Sequence, residues 1–141
     1  MELRGKVVLV CVNDGVFGEL DRVLKALGLE PVRVHRCKEL QSCLEDLGRF
    51  LAVFTEPALA DGRYSDVCWI ASRLEAPLPV IVVSTFADMD LYLESMKNGA
   101  SDFIVPPFFI TDIAYVLMTT LGSALPQRAA LSQHAVGATR A

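Results

Sequence analysis

The feature that most constrains this chain is a regular alternation of short apolar runs with segments of helical periodicity. Apolar runs of this length are typical of strands in a buried sheet. After each run, apolar residues recur every three or four positions, which predicts an amphipathic helix. The predicted strands are Lys6–Val12, Pro31–Cys37, Phe50–Glu56, Pro79–Ser84 and Ser101–Val105. Strict strand–helix alternation predicts parallel pairing, because parallel neighbours need a crossover connection.

This pattern predicts an α/β domain, a three-layer α/β/α sandwich with a parallel sheet between two layers of helices. The first run, KVVLVCV, is almost continuously apolar, which favours a central strand buried on both faces. The second run, PVRVHRC, alternates and is expected nearer the sheet edge. Gly28 and Gly48 are expected to end the first two helices, and Asp88 and Thr111 to cap the last two, the last one ending near Gly122.

Length, charge and hydropathy exclude several classes of function. The 141 residues suffice for one domain, expected over residues 1–122, with a flexible tail or linker over 123–141. No apolar run approaches the ~18 residues of a membrane span, so no membrane partner is expected. The net charge of −4 provides no basic stripe, so no nucleic acid partner is expected.

The four cysteines are far apart in the sequence and form no C-x-x-C pair. They are Cys11, Cys37, Cys43 and Cys68. Cys11 and Cys68 lie within apolar periodic segments, which favours buried structural thiols over metal or redox use. Thiols of this kind are typical of a reducing compartment, so we expect a cytoplasmic protein.

Two stretches resemble the response-regulator receiver domain, the CheY-like family. PVIVVSTFADMDLYLESMKNGASDFIVPPF (Pro79–Phe108) is similar to the family's fourth strand, fourth helix and fifth strand. The small hydroxyl after the fourth strand, the Gly-Ala before the fifth and the Pro-Phe after it stand at the family's spacing. VFTEPALADG (Val53–Gly62) resembles the family's third strand and the loop after it. The resemblance covers about residues 6–122 and implies a five-stranded, flavodoxin-like parallel sheet of order 2-1-3-4-5.

The resemblance implies a known chemistry. In a receiver, an aspartate after the third strand takes a phosphoryl group from a histidine kinase, and two acids after the first strand help to bind Mg²⁺. A hydroxyl on the fourth strand and a lysine before a proline hold the phosphoryl oxygens. An aromatic residue on the fifth strand then moves, and the surface of helix 4, strand 5 and helix 5 changes partners.

Carried over residue by residue, this chemistry is incomplete. The phosphoacceptor position falls on Glu56, and the hydroxyl position on Ser84, which is retained. The switch aromatic falls on Phe103, which keeps a ring without a hydroxyl. The lysine position falls on Pro106, so the cation is lost, and the family's proline falls on Pro107, whose preceding peptide bond is expected to be cis.

The acid pair has two alternative placements. By residue content it is Asn13 and Asp14, whereas ungapped counting from the first helix places it on Cys11 and Val12. At least one carboxylate is missing in either case, which weakens a site for a hard cation such as Mg²⁺. We therefore expect Mg²⁺ binding to be weak or absent, with no metal ligands and no cofactor.

The site residues have structural as well as functional interpretations. Glu56 is either a mimic of the phosphorylated state that reaches toward Ser84 or a solvated acid at a strand end. Asn13 and Asp14 are either turn residues that cap the first helix, the interpretation that we favour, or remnants of a metal site. Ser84 is equally compatible with a bond to the local backbone and with a switch contact.

Apolar residues of the last two helices predict a protein interface. The last helix, ITDIAYVLMTTLG, is apolar over most of its circumference, so it needs a second surface to bury it. Met89, Tyr92, Tyr115 and Met118, together with Phe103, are expected to form an exposed patch of the kind that marks interfaces. The alternative is that the C-terminal tail covers them.

These predictions combine into one function and two alternatives. We expect a receiver-like signalling domain of a two-component phosphorelay, not an enzyme, that acts independently of phosphorylation. It would act by homodimerisation or by docking to a partner, including a histidine kinase, through helix 4, strand 5 and helix 5. The first alternative is a working phosphoacceptor with unusual site residues, and the second is a flavodoxin-like module that binds a small ligand. The segment VNDGVFG has neither the dinucleotide nor the P-loop spacing, which counts against the second alternative.

Overall fold

The computed structural model describes residues 3–46 and 48–121, so the predicted tail lies outside the described residues. Seven strands and five helices follow one another in these ranges. In chain order they are β1 (Gly5–Val10), α1 (Asp14–Ala26), β2 (Leu29–Val34), α2 (Cys37–Asp46), β3 (Ala52–Thr55), β4 (Ala58–Leu59), β5 (Gly62–Arg63), α3 (Tyr64–Ser72), β6 (Val80–Val83), α4 (Met89–Lys97), β7 (Asp102–Ile104) and α5 (Ile110–Thr120). Within these ranges, no helix is long and apolar enough to cross a membrane.

Five of the strands form one parallel sheet, in the order β2-β1-β3-β6-β7. Counting only the strands of this sheet, the order is 2-1-3-4-5, which confirms the predicted flavodoxin-like topology. The central strand β1 is buried where it pairs with β3, whereas the edge strand β2 is buried only at its two ends and is exposed at Glu30 and Arg33. Pro31 is tolerated in β2 because an edge strand leaves one row of N–H groups unpaired.

Apolar side chains cover both faces of the sheet and form two hydrophobic clusters. One cluster packs α1 and α5 against the face that carries Val7, Leu9 and Phe54. The other packs α2 and α3 against the face that carries Val8 and Val53. Neighbouring strand residues point to opposite faces, so a continuously apolar strand supplies both clusters. All four cysteines are buried and none forms a disulfide, and the sequence predicts this burial for Cys11 and Cys68.

The helix ends match the predictions in part. Asn13 caps α1 by accepting the N–H of Gly15 at 2.8 Å, and Asp88 caps α4 by accepting the N–H of Leu91 at 3.1 Å. The predicted cap at Thr111 is wrong. The chain is still extended at Phe109 but is helical from Ile110, so the hydroxyl of Thr111 already lies inside the first turn.

The predicted end of the second strand at Cys37 is also wrong, because the N–H groups of Cys37 and Lys38 begin α2 instead. Their acceptor is the carboxylate of Asp61, at 2.8 Å and 3.1 Å. Asp61 lies in the two-residue loop of a small antiparallel hairpin, β4–β5, which the sequence analysis did not predict. This cap comes from a residue distant in sequence, so the hairpin fixes the start of α2.

Close packing explains the glycine that follows this loop. A Cβ atom on Gly62 would lie 2.7 Å from Oδ2 of Asp66 and 3.1 Å from Sγ of Cys37. Only glycine lets the hairpin approach both α2 and α3 this closely. The Asp-Gly pair that supported the family resemblance therefore has a local structural role.

The bond between Asp61 and the N-terminus of α2 makes stability depend on pH. The N–H of Cys37, and next that of Lys38, holds the pKa of Asp61 below its ordinary value of 3.8. A carboxyl with a lowered folded-state pKa stabilises the fold above its unfolded pKa, and this contribution is lost as pH falls through the folded pKa. Urea unfolding should therefore show Asp61→Asn destabilised near neutral pH, with the difference from wild type shrinking below about pH 4.

The matched control is Asp112→Asn, which removes an exposed acid from the first turn of α5. Its effect on the free energy of unfolding should be smaller near neutral pH. A difference between Asp61→Asn and wild type that stays constant down to pH 2 would contradict the assignment.

Candidate functional site

The candidate site lies at the carboxyl ends of the central strands, where β1, β3 and β6 open onto loops. A cavity of about 250 Å³ is found there. Its lining residues are Phe17, Glu56, Pro57, Ala58, Val83, Ser84, Thr85, Phe86 and Leu91. Among these residues Glu56 is the one carboxylate, and none is a cation. The lining offers nothing that would neutralise a phosphoryl group.

Glu56 connects two neighbouring strands. Its backbone N–H donates to the carbonyl of Val10 at 3.0 Å, which extends the pairing of β3 with β1 by one residue. Its carboxylate oxygen Oε2 accepts the backbone N–H of Asn13 at 2.7 Å and also that of Val12. The side chain of Glu56 therefore closes the β1–α1 loop over the end of β3.

This geometry differs from both interpretations of Glu56. The carboxylate is bonded to the β1–α1 loop, and no bond joins it to Ser84 among the described contacts. The Ser84 hydroxyl instead accepts the N–H of Phe86 at a long 3.5 Å. Glu56 is thus neither a mimic that reaches Ser84 nor a solvated acid, because it is an acceptor for two loop N–H groups.

The predicted acid pair is engaged elsewhere. The side chain of Asn13 is the cap of α1. The carboxylate of Asp14 lies 3.1 Å from Nη1 of Arg33. Arg33 also pairs with Asp21, through Nε at 3.2 Å. Asn13 therefore has the capping role that the sequence analysis favoured, whereas Asp14 forms an ion pair with Arg33 that the sequence did not predict.

These contacts test whether the residues present fit the Mg²⁺ ion that receiver chemistry implies. Mg²⁺ needs near-octahedral oxygen ligands, with one or two carboxylates among them. Here one oxygen of Glu56 serves two N–H groups, the amide oxygen of Asn13 caps a helix, and Asp14 pairs with Arg33. The residues do not fit a receiver-type Mg²⁺ site.

The predicted lysine and aromatic positions lie on β7 and the loop that follows it. Phe103 is half-buried, and its ring meets the ring of Tyr92 edge to face, with centroids 5.8 Å apart. The Pro106–Pro107 peptide bond is cis. The N–H of Phe108 donates to Glu19 on α1 at 3.1 Å, so this loop is tied to the first helix rather than to the cavity.

The predicted interface residues divide between two surfaces. Met89 is 67% exposed on α4, and Tyr92 is half-buried beside Phe103. Tyr115 and Met118 are half-buried and line a separate cavity of about 390 Å³ between α5 and the end of α1. The structure therefore brings two of the four to α4 and two to the opposite helical layer.

Sequence reasoning missed a polar network that joins the loop after Glu56 to α4. The hydroxyl of the buried Tyr64 donates to Glu94 at 2.5 Å and accepts from the side-chain amide of Asn98 at 3.0 Å. Arg63 reaches the same Glu94 oxygen at 2.9 Å. Burial first, and then the bond to Glu94, raises the pKa of Tyr64, whereas the bond from Tyr64 lowers the pKa of Glu94. The only sequence signal was a tyrosine at the start of a predicted helix.

Three features together define the fold of response-regulator receivers. They are the strand order, the cis bond before Pro107 and the position of the site at the ends of β1 and β3. No family model matches the chain. It is 28% identical over 111 residues to Nodulation protein W of Bradyrhizobium diazoefficiens, a match that covers 76% of this chain and 48% of that protein. The chain thus spans about half the length of this curated relative.

Solved structures give the same fold. A candidate response regulator from Chloroflexus aurantiacus matches with a TM-score of 0.74 at 21% identity, over 84% of this chain and 98% of that one. The receiver domain of the sensor histidine kinase PA1611 from Pseudomonas aeruginosa, solved with a magnesium ion in its active-site cleft, matches with a TM-score of 0.72 at 17% identity. That match covers 85% of this chain and 99% of the Pseudomonas one. At these identities the likeness establishes the receiver fold.

The two hydrogen bonds that the Glu56 carboxylate accepts can be tested by NMR and by unfolding. In Glu56→Ala the amide protons of Val12 and Asn13 lose a charged acceptor, so they should shift upfield and exchange faster. The free energy of unfolding should fall by about 1.5–3 kcal/mol, the range for hydrogen bonds to a charged group. Glu56→Asp should behave similarly, because its side chain is one methylene too short.

The control for this test is Glu75→Ala, an exposed acid after α3. It should leave both amides and the free energy of unfolding unchanged. Unaltered Val12 and Asn13 amides in Glu56→Ala would show that the carboxylate does not hold the loop.

Proposed function

We propose that this chain is a receiver-type signalling domain that acts without phosphoryl transfer, through contact with a second copy of itself. The observation that carries the proposal is the position of the Glu56 carboxylate, bonded to the N–H groups of Val12 and Asn13. A receiver places its phosphoacceptor at this strand end. Here the same position holds a carboxylate that the protein itself has already bonded.

Two further losses support independence from phosphorylation. Phosphoryl transfer depends on positioned cations, because the transferring group carries negative charge that must be stabilised. The cavity lining contains no cation, and Pro106 stands where the family's lysine would be. The side chains that would hold Mg²⁺ are engaged elsewhere, because the amide oxygen of Asn13 caps α1 and the carboxylate of Asp14 pairs with Arg33. We accordingly propose no catalytic step, and we place the domain among cytoplasmic signalling proteins that are not enzymes.

A stripe of exposed apolar side chains on α4 and the turn before it supports the contact with a second copy. The stripe consists of Phe86, Met89, Leu93 and Met96, which are 63%, 67%, 52% and 37% exposed. The three residues on α4, Met89, Leu93 and Met96, are spaced by four and three positions, as in a helix–helix seam, and Phe86 lies before the helix. A seam of large exposed side chains on a short helix is costly in water unless another surface covers it.

Charges beside this stripe favour a second copy as the occupant. Asp90 lies near the start of α4 and Lys97 at its end, and both are exposed. If two α4 helices pack antiparallel about a two-fold axis near Leu93, Asp90 of each copy faces Lys97 of the other. A two-fold interface is self-complementary in this way, since each contact occurs twice. Tyr92 and Phe103 border the same surface.

Phosphorylation chemistry is tested directly by intact-protein mass spectrometry. The chain is incubated with acetyl phosphate and Mg²⁺, and in parallel with beryllofluoride and Mg²⁺. We expect no added mass and no change in oligomeric state, in wild type and in Glu56→Asp alike, because neither variant has a cation at the Pro106 position. A phosphoryl adduct on wild type, or dimerisation driven by beryllofluoride, would make this a working receiver with unusual ligands.

Self-association is tested by size-exclusion chromatography with light scattering. Wild type should approach twice its chain mass of 15.4 kDa as concentration rises. Leu93→Asp places a charge at the centre of the stripe and should give a monomer. The matched control is Trp69→Asp, which alters a residue that is 59% exposed on α3 and should leave the dimer intact. A wild-type monomer at all concentrations would exclude the second copy as partner.

A further inference from the structure

Beside the candidate site, three side chains of mixed chemistry converge from different elements. They are Cys11 at the end of β1, Asp14 at the start of α1 and His35 after β2. One sulfur, one carboxylate oxygen and one ring nitrogen all lie within 4.8 Å of one another. His35 is distant in sequence from Cys11 and Asp14, so no sequence motif predicts the cluster. It appears because β1 and β2 are parallel neighbours whose carboxyl ends lie at the same edge of the sheet.

We propose that Cys11, Asp14 and His35 form a site for a divalent transition metal of the zinc class. Sulfur, imidazole nitrogen and carboxylate oxygen are the donors that zinc takes in proteins, whereas Mg²⁺ prefers oxygen alone. Three protein ligands leave a fourth position for water or for a group from another molecule. The donor set differs from that of the Mg²⁺ site of receivers, because a sulfur and an imidazole nitrogen take part and Glu56 does not.

The distances suit tetrahedral coordination. Sγ of Cys11 lies 3.7 Å from Oδ1 of Asp14. Bonds of ~2.3 Å to sulfur and ~2.1 Å to oxygen at a tetrahedral angle place these two atoms about 3.6 Å apart. The thiol is buried, whereas Asp14 and His35 are exposed, so the two exposed side chains can close onto an ion that enters from solvent.

A hydrogen bond to the backbone of Cys11 holds the imidazole and fixes its tautomer. Nδ1 of His35 lies 2.8 Å from the carbonyl oxygen of Cys11. A carbonyl only accepts, so Nδ1 carries the hydrogen and the lone pair of the neutral ring is on Nε2. Metal-binding histidines are commonly held by such a bond to a backbone carbonyl. Here the accepting carbonyl belongs to Cys11, so a hydrogen bond joins two of the three proposed ligand residues.

Arg33 competes for the carboxylate without closing the site. Its Nη1 lies 3.1 Å from Oδ1 of Asp14, but Nε also pairs with Asp21 at 3.2 Å, so Arg33 retains a partner when Asp14 turns to an ion. Binding replaces the S–H bond of Cys11 with a metal–thiolate bond and releases the proton to solvent. The metal and the loop bonded by Glu56 would then be adjacent, because Cys11 directly precedes Val12.

The test uses the chain without an affinity tag and Zn²⁺ or Co²⁺ alone as the probe. Titration calorimetry should give one Zn²⁺ per chain, not displaced by a large excess of Mg²⁺. Cys11→Ser and His35→Gln should each weaken Zn²⁺ binding by more than about tenfold, the lower end of the loss seen even for outer-shell changes. The controls are Cys68→Ser, a buried thiol elsewhere, and His134→Gln, the chain's other histidine.

Spectroscopy of the wild-type chain keeps the test independent of whether the variants fold. Bound Co²⁺ should show thiolate-to-metal charge-transfer absorption and the visible bands of a tetrahedral ion. Circular dichroism checks that each variant keeps the wild-type fold before its affinity is compared. A Co²⁺ spectrum without the thiolate band, or equal weakening in the two control variants, would overturn the site.

Discussion

The fold around the candidate site depends on one constraint, the bond between the Glu56 carboxylate and the β1–α1 loop. The pairing of Val10 with Thr55 fixes the two strand ends side by side, and Glu56 is the next residue along β3. From this position a glutamate reaches the N–H groups of Val12 and Asn13. These donors lie between the end of β1 and the start of α1, so no regular ladder or helical bond would satisfy them. The methylene that glutamate has beyond aspartate therefore lets the carboxylate reach these two N–H groups.

This constraint extends to the proposed interface through the elements that follow β3. Directly after Glu56, the β4–β5 hairpin caps α2 through Asp61, and its last residue, Arg63, reaches Glu94 on α4. Tyr64 buries its ring against the sheet while its hydroxyl bonds the same glutamate. The strand end, the hairpin and α4 are thus joined by polar contacts over a short stretch of chain.

The sequence predicted the fold more completely than the site, for physical reasons. Strand order follows from hydrophobic periodicity and crossover rules, which are averaged over many residues, so the errors at Cys37 and Thr111 did not affect it. The site depends on single side-chain directions. That Glu56 bonds a loop rather than Ser84, and that Asp14 pairs with Arg33, depends on reach and on neighbours distant in sequence. The hairpin was missed because each of its strands is only two residues long and has no periodicity.

Under the proposed function, the Glu56 carboxylate receives no phosphoryl group and so carries no signal by itself. A domain built this way needs an input that acts elsewhere. The exposed stripe on α4 offers one such input, since mass action makes association depend on local concentration. The cluster of Cys11, Asp14 and His35 offers another, because it adjoins the two N–H groups that Glu56 holds. An ion bound there would lie next to the loop that Glu56 holds, because Cys11 directly precedes Val12.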